Sequence, residues 1–593
     1  MHKFKTIMRQ FIKQLFAVLI GNAIFFGLFF LIFILGLVGL AMKQDKDSNI
    51  IVDNSILKIN LPMEVAELPS SDNNPFLSDE DIKIGLHQIT ESIASAAEDS
   101  KIKGLIVELN VMENLSYQQM DLIRNAILAF KKSNKPTFAY GELSSQKMYY
   151  LASACDNIYL NPHGGMDMRG FGAQLTFFKN TIDRLEIEPQ IFYAGKFKSA
   201  TEPYRFTKMT EENKEQVKVF MADFKKNVLE DIAKSRKIDV DSLDQKINQM
   251  ELMRPEDALK NKLIDGVYYV DEVERLIIKK CNLPKNKKIN IALISDYAQS
   301  EMEYKEEADV AVYIAEGDII DGKGSEGSIG SKTMIRDIRK IKENDDIKAV
   351  VLRINSPGGS ALASAVILRE IEQLKLKKPV VVSMGNVAAS GGYYIASCGS
   401  KIYAERNTIT GSIGVFSIIP NVKKFMENKL GLTYDEVELN EHAVMSINKP
   451  LESNEAAKIQ IETERVYNTF KSVVAKSRKI NMDSVESIAQ GRVWSGIKAK
   501  EVGLIDEIGT MEDAILEASK LAKCKPEYAI VNRQPDFFET LKNKYNFGVQ
   551  MDLFLEKWIK NKLGENYKIF KSIEKAKQSS GIQAKMPFEL DIK

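Results

Sequence analysis

The feature that most restricts how this chain can fold is a long-range repeat. IKGLIVELN at residues 102–110 returns as IKAVVLRIN at 347–355, 245 residues later, and YYLASAC at 149–155 returns as YYIASC at 393–398, at spacings of 244 and then 243. Cys281 and Cys524 are also 243 residues apart. Markers kept in order at one long spacing indicate a duplicated domain, not a short-period solenoid. Each copy alternates short apolar runs, such as IKAVVLRI and KPVVVSMG, with helical periodicity, such as ALASAVILREIEQLKL at 361–376. That alternation predicts an α/β fold with largely parallel strands. The first unit is expected to start near Ile56 and the second near Val310, where DVAVYIAEGDIIDG opens with a strand and a turn. After about Asn532 a mixed helical tail containing Trp558 runs to GIQAKMPFELDIK. One reading of residues 581–593 is that they are extended and visit the active site. The expected division is a cytoplasmic start at 1–14, a membrane anchor at 15–42, a first α/β unit at 43–309, a second at 310–532 and a tail at 533–593.

The anchor is read from residues 15–42, LFAVLIGNAIFFGLFFLIFILGLVGLAM, a run of 28 without a charge. As a helix it spans about 42 Å, enough to cross a hydrocarbon layer of about 30 Å with some tilt. Lys3, Lys5, Arg9 and Lys13 precede it, whereas Lys43 and Lys46 behind it are offset by Asp45 and Asp47. The positive flank is expected inside and everything after Met42 outside. A cleaved signal peptide is the alternative, but the run is about twice the usual apolar length of such peptides and Gly39-Leu40-Ala41 is a poor cleavage site.

A net charge of +1 over 593 residues argues against nucleic acid as a partner. The 4 cysteines are too few for a disulfide scaffold. None has the CxxC spacing of a metal site, and Cys155, Cys398, Cys281 and Cys524 read as small buried hydrophobes. The 4 histidines, His2, His87, His163 and His442, narrow the catalytic chemistry further.

The second unit carries two glycine turns after apolar strands, NSPGGS at 355–360 and AASGGY at 388–393. Adjacent glycines admit a close ligand and present N–H groups, as acyl transfer requires of an oxyanion hole. A serine among small residues at a helix start is an accessible nucleophile. Taken alone, either turn reads more readily as a purely structural turn. The repeat adds weight: Gln146 stands where Ser390 does, and VMEN at 111–114 stands in place of SPGG, so the motif belongs to the second unit alone. A serine nucleophile needs a base. Only His442 lies in the second unit, in the polar loop LNEHAVMS. A lysine serves better if burial keeps it neutral near pH 7, a drop of roughly 3 pKa units from about 10.4, or about 4 kcal/mol of disfavoured charge.

These residues resemble signal peptide peptidase A, or protease IV, in its long, two-domain, membrane-anchored bacterial form. The motifs NSPGG, ASGGYY, TGSIG at 410–414 and GKFKSATEP at 195–203 carry the resemblance, which covers nearly the whole chain. It implies tandem ClpP/crotonase-like domains, with Ser390 as nucleophile and Lys198, from the first unit, as general base. Lys196 is then a solvated neighbour. It further implies Ser412 as the hydroxyl that orients the lysine, and the N–H groups of Gly359 and Gly391 as the oxyanion hole. Gly358 shapes the substrate-binding turn, while Ser356 and Ser360 form loops. Tyr393 is expected beside the nucleophile, as packing or as part of the substrate pocket. By the same resemblance the reaction is peptide hydrolysis through an acyl-enzyme, without cofactor or metal. The substrates are released signal peptides and other unfolded peptides, and the assembly is a homo-oligomer, usually a tetramer. The catalytic bulk is expected on the periplasmic side of the bacterial inner membrane. The rivals are a crotonase acting on acyl-CoA, a Clp-type enzyme using His442, and an anchored scaffold without turnover.

Overall fold

The computed structural model describes residues 51–61, 65–68, 84–109, 115–284, 288–301, 308–324, 327–532 and 581–586, with a few positions between 21 and 32. The expected anchor at 15–42 therefore lies almost wholly outside the described residues, of which 21, 22, 25–29 and 32 are helical. Among the described residues, no helix is long and apolar enough to cross a membrane.

In the first unit six parallel strands stand in the order Gly266–Val267, Asn157–Asp167, Thr137–Ser145, Ile102–Glu108, Ser55–Ile59, Asn290–Leu293. Alternate side chains along a strand point to opposite faces. Leu57 and Ile59 accordingly pack on the helices Leu86–Glu98 and Tyr117–Phe130, while Ile56 and Phe138 meet the helix Val270–Lys280 on the other face. Both faces are covered, which is why the strands read as nearly continuous apolar runs.

The second unit repeats this plan. Tyr528–Ile530, Val310–Glu316, Ala349–Ser356 and Val380–Ala389 pair in parallel, and Val380–Ala389 is joined at successive stretches by Lys401–Ala404 and Ile409–Gly411. Val310, Val312 and Val351 face the helix Met511–Ala522, and Tyr313, Leu352 and Val382 face Ser331–Glu343 and Ala361–Lys375. Even the 26-residue helix Glu211–Arg236 has its counterpart in Ser453–Arg478, also 26 residues.

A third sheet unites the halves. Glu188–Ala194 of the first unit runs antiparallel to Val415–Asn421 of the second, with Ala194 opposite Val415 and Glu188 opposite Asn421. Polar contacts reinforce the join. Arg406 Nε donates to Asp121 Oδ2 (2.6 Å) and Asn227 Nδ2 to Asn407 Oδ1 (2.8 Å). The fully buried Arg353 donates to Glu67 (3.0 Å) and to Glu405 (3.1 Å).

Candidate active site

The strand Glu188–Ala194 delivers the lysine. Beyond Ala194 the chain turns at Gly195, with Lys198 N–H donating to Gly195 O (3.1 Å) and Phe197 N–H donating to Gln490 O of the second unit (2.8 Å). First-unit side chains brace this loop. Gln216 Nε2 donates to Phe197 O (3.1 Å) and to Ser199 Oγ (2.9 Å), and Glu202 accepts from Thr210 Oγ1 (2.6 Å) and Asn213 Nδ2 (2.8 Å). Lys198 is only 1% exposed.

The serine comes from the second unit. Val380–Ala389 ends at Ser390, which has φ +55° and ψ −115°, and the helix Gly391–Ala396 starts immediately after it. Such a backbone costs a non-glycine residue about 1–3 kcal/mol and persists only where its surroundings fix it. Here Ser390 N–H donates to Gly411 O (2.8 Å). Although Ser390 occupies the cap position, its hydroxyl does not cap the helix. It lies instead 2.9 Å from Lys198 Nζ.

Ser412 completes the cluster, with its hydroxyl 3.1 Å and its carbonyl oxygen 3.2 Å from Lys198 Nζ. Ser390, Lys198 and Ser412 are all buried. Burial pushes the Lys198 amine well below the ordinary lysine range. The amine is thus biased toward its neutral form, the form that can accept a proton.

The two glycine turns lie against each other beside Ser390. Gly358 has φ +99°, a region open to glycine, and a methyl added there would lie 2.6 Å from Gly391 N. A methyl on Gly391 would lie 3.1 Å from Gly359 N. The backbone nitrogens of residues 359 and 391 therefore lie close together. Ser356 Oγ accepts from Gly358 N–H (3.1 Å) and Ser360 Oγ caps the helix Ala361–Lys375 through Ala363 N–H (3.2 Å), so both shape the turn.

Other candidates fall elsewhere. Tyr393 does not line a substrate pocket: it is fully buried in the second unit's core and its hydroxyl donates to Leu504 O (2.8 Å). A buried phenol needs a hydrogen-bond partner, and the core carbonyl supplies it. Lys196 is a surface cation, 3.5 Å from Glu212. His442 is an exposed ring bonded to Asn454 (2.8 Å) and facing Glu455 (3.2 Å), while the only described partners of the Ser390 hydroxyl are Lys198 Nζ and Gly414 O. Cys155, Cys281 and Cys398 are buried free thiols and Cys524 is half-buried.

The sequence reading missed Gly491 and Gln216. A methyl on Gly491, at φ +79°, would lie 2.7 Å from the Cα, Cβ and N of Lys198, so only glycine lets that loop press against the lysine backbone. The available signal was the Gln490-Gly491 pair after the helix Met482–Ile488, indistinguishable in sequence from an ordinary turn.

A duplicated parallel α/β architecture with a serine at a strained strand-to-helix turn defines a serine peptidase of Clp-like fold, and the Clp protease family model matches residues 306–410. The model of peptidase family S49 matches residues 129–283 and 372–525, one stretch in each unit. The chain belongs to peptidase family S49. It is 35% identical over 468 residues to Protease 4 of Haemophilus influenzae, covering 77% of this chain and 76% of that one. It is also 32% identical over 483 residues to the chloroplastic serine protease SPPA of Arabidopsis thaliana, covering 79% and 69%. A putative signal peptide peptidase SppA of Enterococcus faecium is 38% identical over 196 residues, 32% of this chain and 56% of that one.

Proposed function

We propose that this serine peptidase is a single-pass membrane enzyme in which Ser390 and Lys198 form the catalytic dyad, and that it degrades released signal peptides and other unfolded peptides outside the cytoplasmic membrane. The observation that carries the dyad is the 2.9 Å approach of Lys198 Nζ to Ser390 Oγ in a buried site. A neutral amine has two hydrogens and one lone pair. The hydroxyl and carbonyl of Ser412 accept the two hydrogens, which leaves the lone pair directed at the serine proton.

The hydroxyl of Ser390 then attacks the substrate carbonyl while Lys198 takes its proton, and the developing oxyanion is held by the N–H groups of Gly359 and Gly391. One such donor is worth about 3 kcal/mol in the transition state. Lys198 passes its proton to the departing amine, and water cleaves the acyl-enzyme with Lys198 again as base. Signal peptides as substrates are suggested by the name of the Enterococcus relative and by the apolar run at 15–42, which would hold the site beside the membrane where such peptides are released. A periplasmic location and a tetramer that encloses the sites complete this reading.

The test is hydrolysis of an unfolded apolar fluorogenic peptide by the detergent-solubilised protein from pH 6 to 10. Wild type is expected to cleave, faster as the pH rises and Lys198 loses its proton, while Ser390→Ala and Lys198→Ala stay folded and inert. Normal turnover by Lys198→Ala would remove the lysine from the mechanism.

A further inference from the structure

The nucleophile and the glycine turn leave neighbouring strands, and one side chain ties the two strands where they leave register. Val310–Glu316, Ala349–Ser356 and Val380–Ala389 run parallel, with Glu316 directly opposite Asn355. Between the second and third of these the pairing is regular as far as Ile354 opposite Met384 and resumes at Ser356 opposite Ala388. Asn355 alone therefore faces three residues, Gly385, Asn386 and Val387. An irregularity of this kind bends a strand and re-aims what lies beyond it, at the expense of ladder hydrogen bonds. A backbone N–H left over inside the protein needs another partner. The side chain of Asn355 supplies it, Oδ1 accepting from Val387 N–H (3.2 Å). Gly359 follows Asn355 by four residues and Ser390 follows Val387 by three. This one bond thus joins the segment that ends in the glycine turn to the segment that ends in Ser390 and Gly391.

An amide side chain accepts at one end and donates at the other, so it must be held the right way round. Glu316 does this: its Oε1 accepts from Asn355 Nδ2 (3.2 Å), which turns the amide oxygen toward Val387. Glu316 is fixed in turn by Glu67 N–H, 3.2 and 3.1 Å from its two carboxylate oxygens. The Glu67 carboxylate accepts from Arg353 Nε (3.1 Å) and Nη2 (3.0 Å). A main-chain bond, Gly317 N–H to Asn355 O (3.0 Å), holds the two strand ends together. Gly385 leaves the room, since a methyl there would lie 3.2 Å from Asn355 Cβ and 2.6 Å from Glu67 Oε1. The far side of the irregular stretch is held by Thr408 Oγ1, which donates to Gly385 O (2.8 Å), and by pairing of Val387, Ala388 and Ala389 with Ile409–Gly411.

We propose that Asn355, oriented by Glu316, is a positioning residue for peptide hydrolysis: it sets Ser390 and Gly391 at their working distance from the turn of Gly358 and Gly359. This rests on the Ser390/Lys198 reading above. The described partners of the Asn355 side chain are Val387 and Glu316, neither of them a reacting group, so its influence on the chemistry passes through the backbone. An oxyanion donor helps only when it lies within hydrogen-bond reach of the place where the charge develops. A small slide between the two strands therefore lowers kcat, while the contacts that bind the rest of a peptide, and with them KM, stay nearly as they were.

The test is an exchange of donor and acceptor in the full-length protein, read by kcat and KM on a fluorogenic peptide beside a melting curve. Asn355→Asp keeps an acceptor for Val387 N–H but sets a carboxylate against Glu316, and is expected to lower kcat by about 10²-fold with KM little changed. Adding Glu316→Gln restores the pair with its direction reversed, the glutamine amide donating to the aspartate, and is expected to bring kcat back to within about fivefold of Glu316→Gln alone. Glu316→Ala frees the Asn355 amide to turn over and is expected to cost about tenfold in kcat, which keeps the test open should Asn355→Asp not fold. If Asn355→Asp and Glu316→Ala both turn over like wild type, or if Glu316→Gln brings no rescue, the proposal is wrong and the dyad stands. Turnover that merely follows the melting temperature across the set would make the network structural only and overturn the proposal as well. If the wild type cleaves nothing, the dyad reading fails and takes this proposal with it.

Discussion

The two units place the same strand-to-helix turn in the same position and use it differently. In the first, Ser145 has an extended backbone (φ −75°, ψ 164°) and its hydroxyl caps the helix Gln146–Ala152 by accepting from Met148 N–H (3.2 Å). The next residue, Gln146, is fully engaged, with Nε2 donating to Tyr117 Oη (3.0 Å) and Gly170 O (3.2 Å) and Oε1 accepting from Gly170 N–H (2.9 Å). In the second, the backbone of Ser390 is strained and its hydroxyl is released from capping to face Lys198. The tyrosines that follow show no such divergence: Tyr149 donates to Leu263 O (2.7 Å) as Tyr393 does to Leu504 O (2.8 Å). Structural duties are duplicated, then, while the strained, uncapped turn exists once. Losing a cap costs about 1 kcal/mol and the strain a similar amount, a cost that the first unit's turn does not carry.

The comparison breaks most visibly through Ser390→Ala against Gln146→Ala. The first is expected to lower kcat by at least about 10⁴-fold. The second leaves turnover intact and lowers thermal stability, because Gly170 and Tyr117 lose their partner. Both are read by peptide hydrolysis and a melting curve.

Lys198→Met separates catalysis from folding. Turnover is expected to fall by about 10²–10⁴-fold, yet the melting temperature holds or rises, since a buried amine is replaced by an apolar chain of similar length. The sign follows from linkage: the unfolded lysine binds a proton that the folded one resists, so wild-type stability rises with pH toward about 10.4, and the methionine variant loses that slope.

Gly491→Ala pushes a methyl against the Lys198 backbone and is expected to cost about 10²-fold in kcat with KM little changed. Ser412→Ala removes one of the two contacts that turn the amine and is expected to cost about tenfold, the worth of one hydrogen bond of about 1.4 kcal/mol. An effect of Ser412→Ala larger than that of Lys198→Met would reverse their roles.

An effect on stability and not on turnover concerns the contact between the units. His87 of the first faces Glu512 of the second (3.3 Å), Glu91 (2.8 Å) and Tyr528. Burial alone would strip the ring of its proton, but hydrogen bonds and charge from Glu512 and Glu91 outweigh that and raise its pKa to about 9. Against about 6.5 unfolded, the contribution is whole below about pH 6.5 and is lost as the pH rises through about 9, amounting to about 3 kcal/mol. Thermal unfolding from pH 6 to 9.5 should show this loss in wild type and not in His87→Gln, the difference between the two proteins removing the opposing slope of Lys198.

The α/β class and the duplication were legible because both are local: periodicity fixes strands and helices, and copied motifs fix the repeat. The turn that carries Ser390 was legible in part for the same reason, since it differs from its counterpart in the first unit, but the choice of Ser390 over Ser356 and Ser360 came from the family resemblance. Lys198 was reached through family resemblance, because a contact spanning 192 residues leaves no periodic trace. Gly491 and Gln216 were missed on the same ground, being ordinary residues until a distant loop lies against them. For Tyr393, closeness in sequence to Ser390 left packing and pocket both open, and one helical turn carries it into the core, as packing.

The antiparallel pairing of Glu188–Ala194 with Val415–Asn421 also bears on the birth of the molecule. A ribosome makes Lys198 192 residues before Ser390 and must go on past Val415 before the two strands can meet. If Ser390 and Lys198 form the proposed dyad, the growing chain throughout that interval holds the pieces of a protease without the ability to cut itself or its neighbours. The last assembly step works as a safety catch, released only when both halves have been synthesised and have found each other.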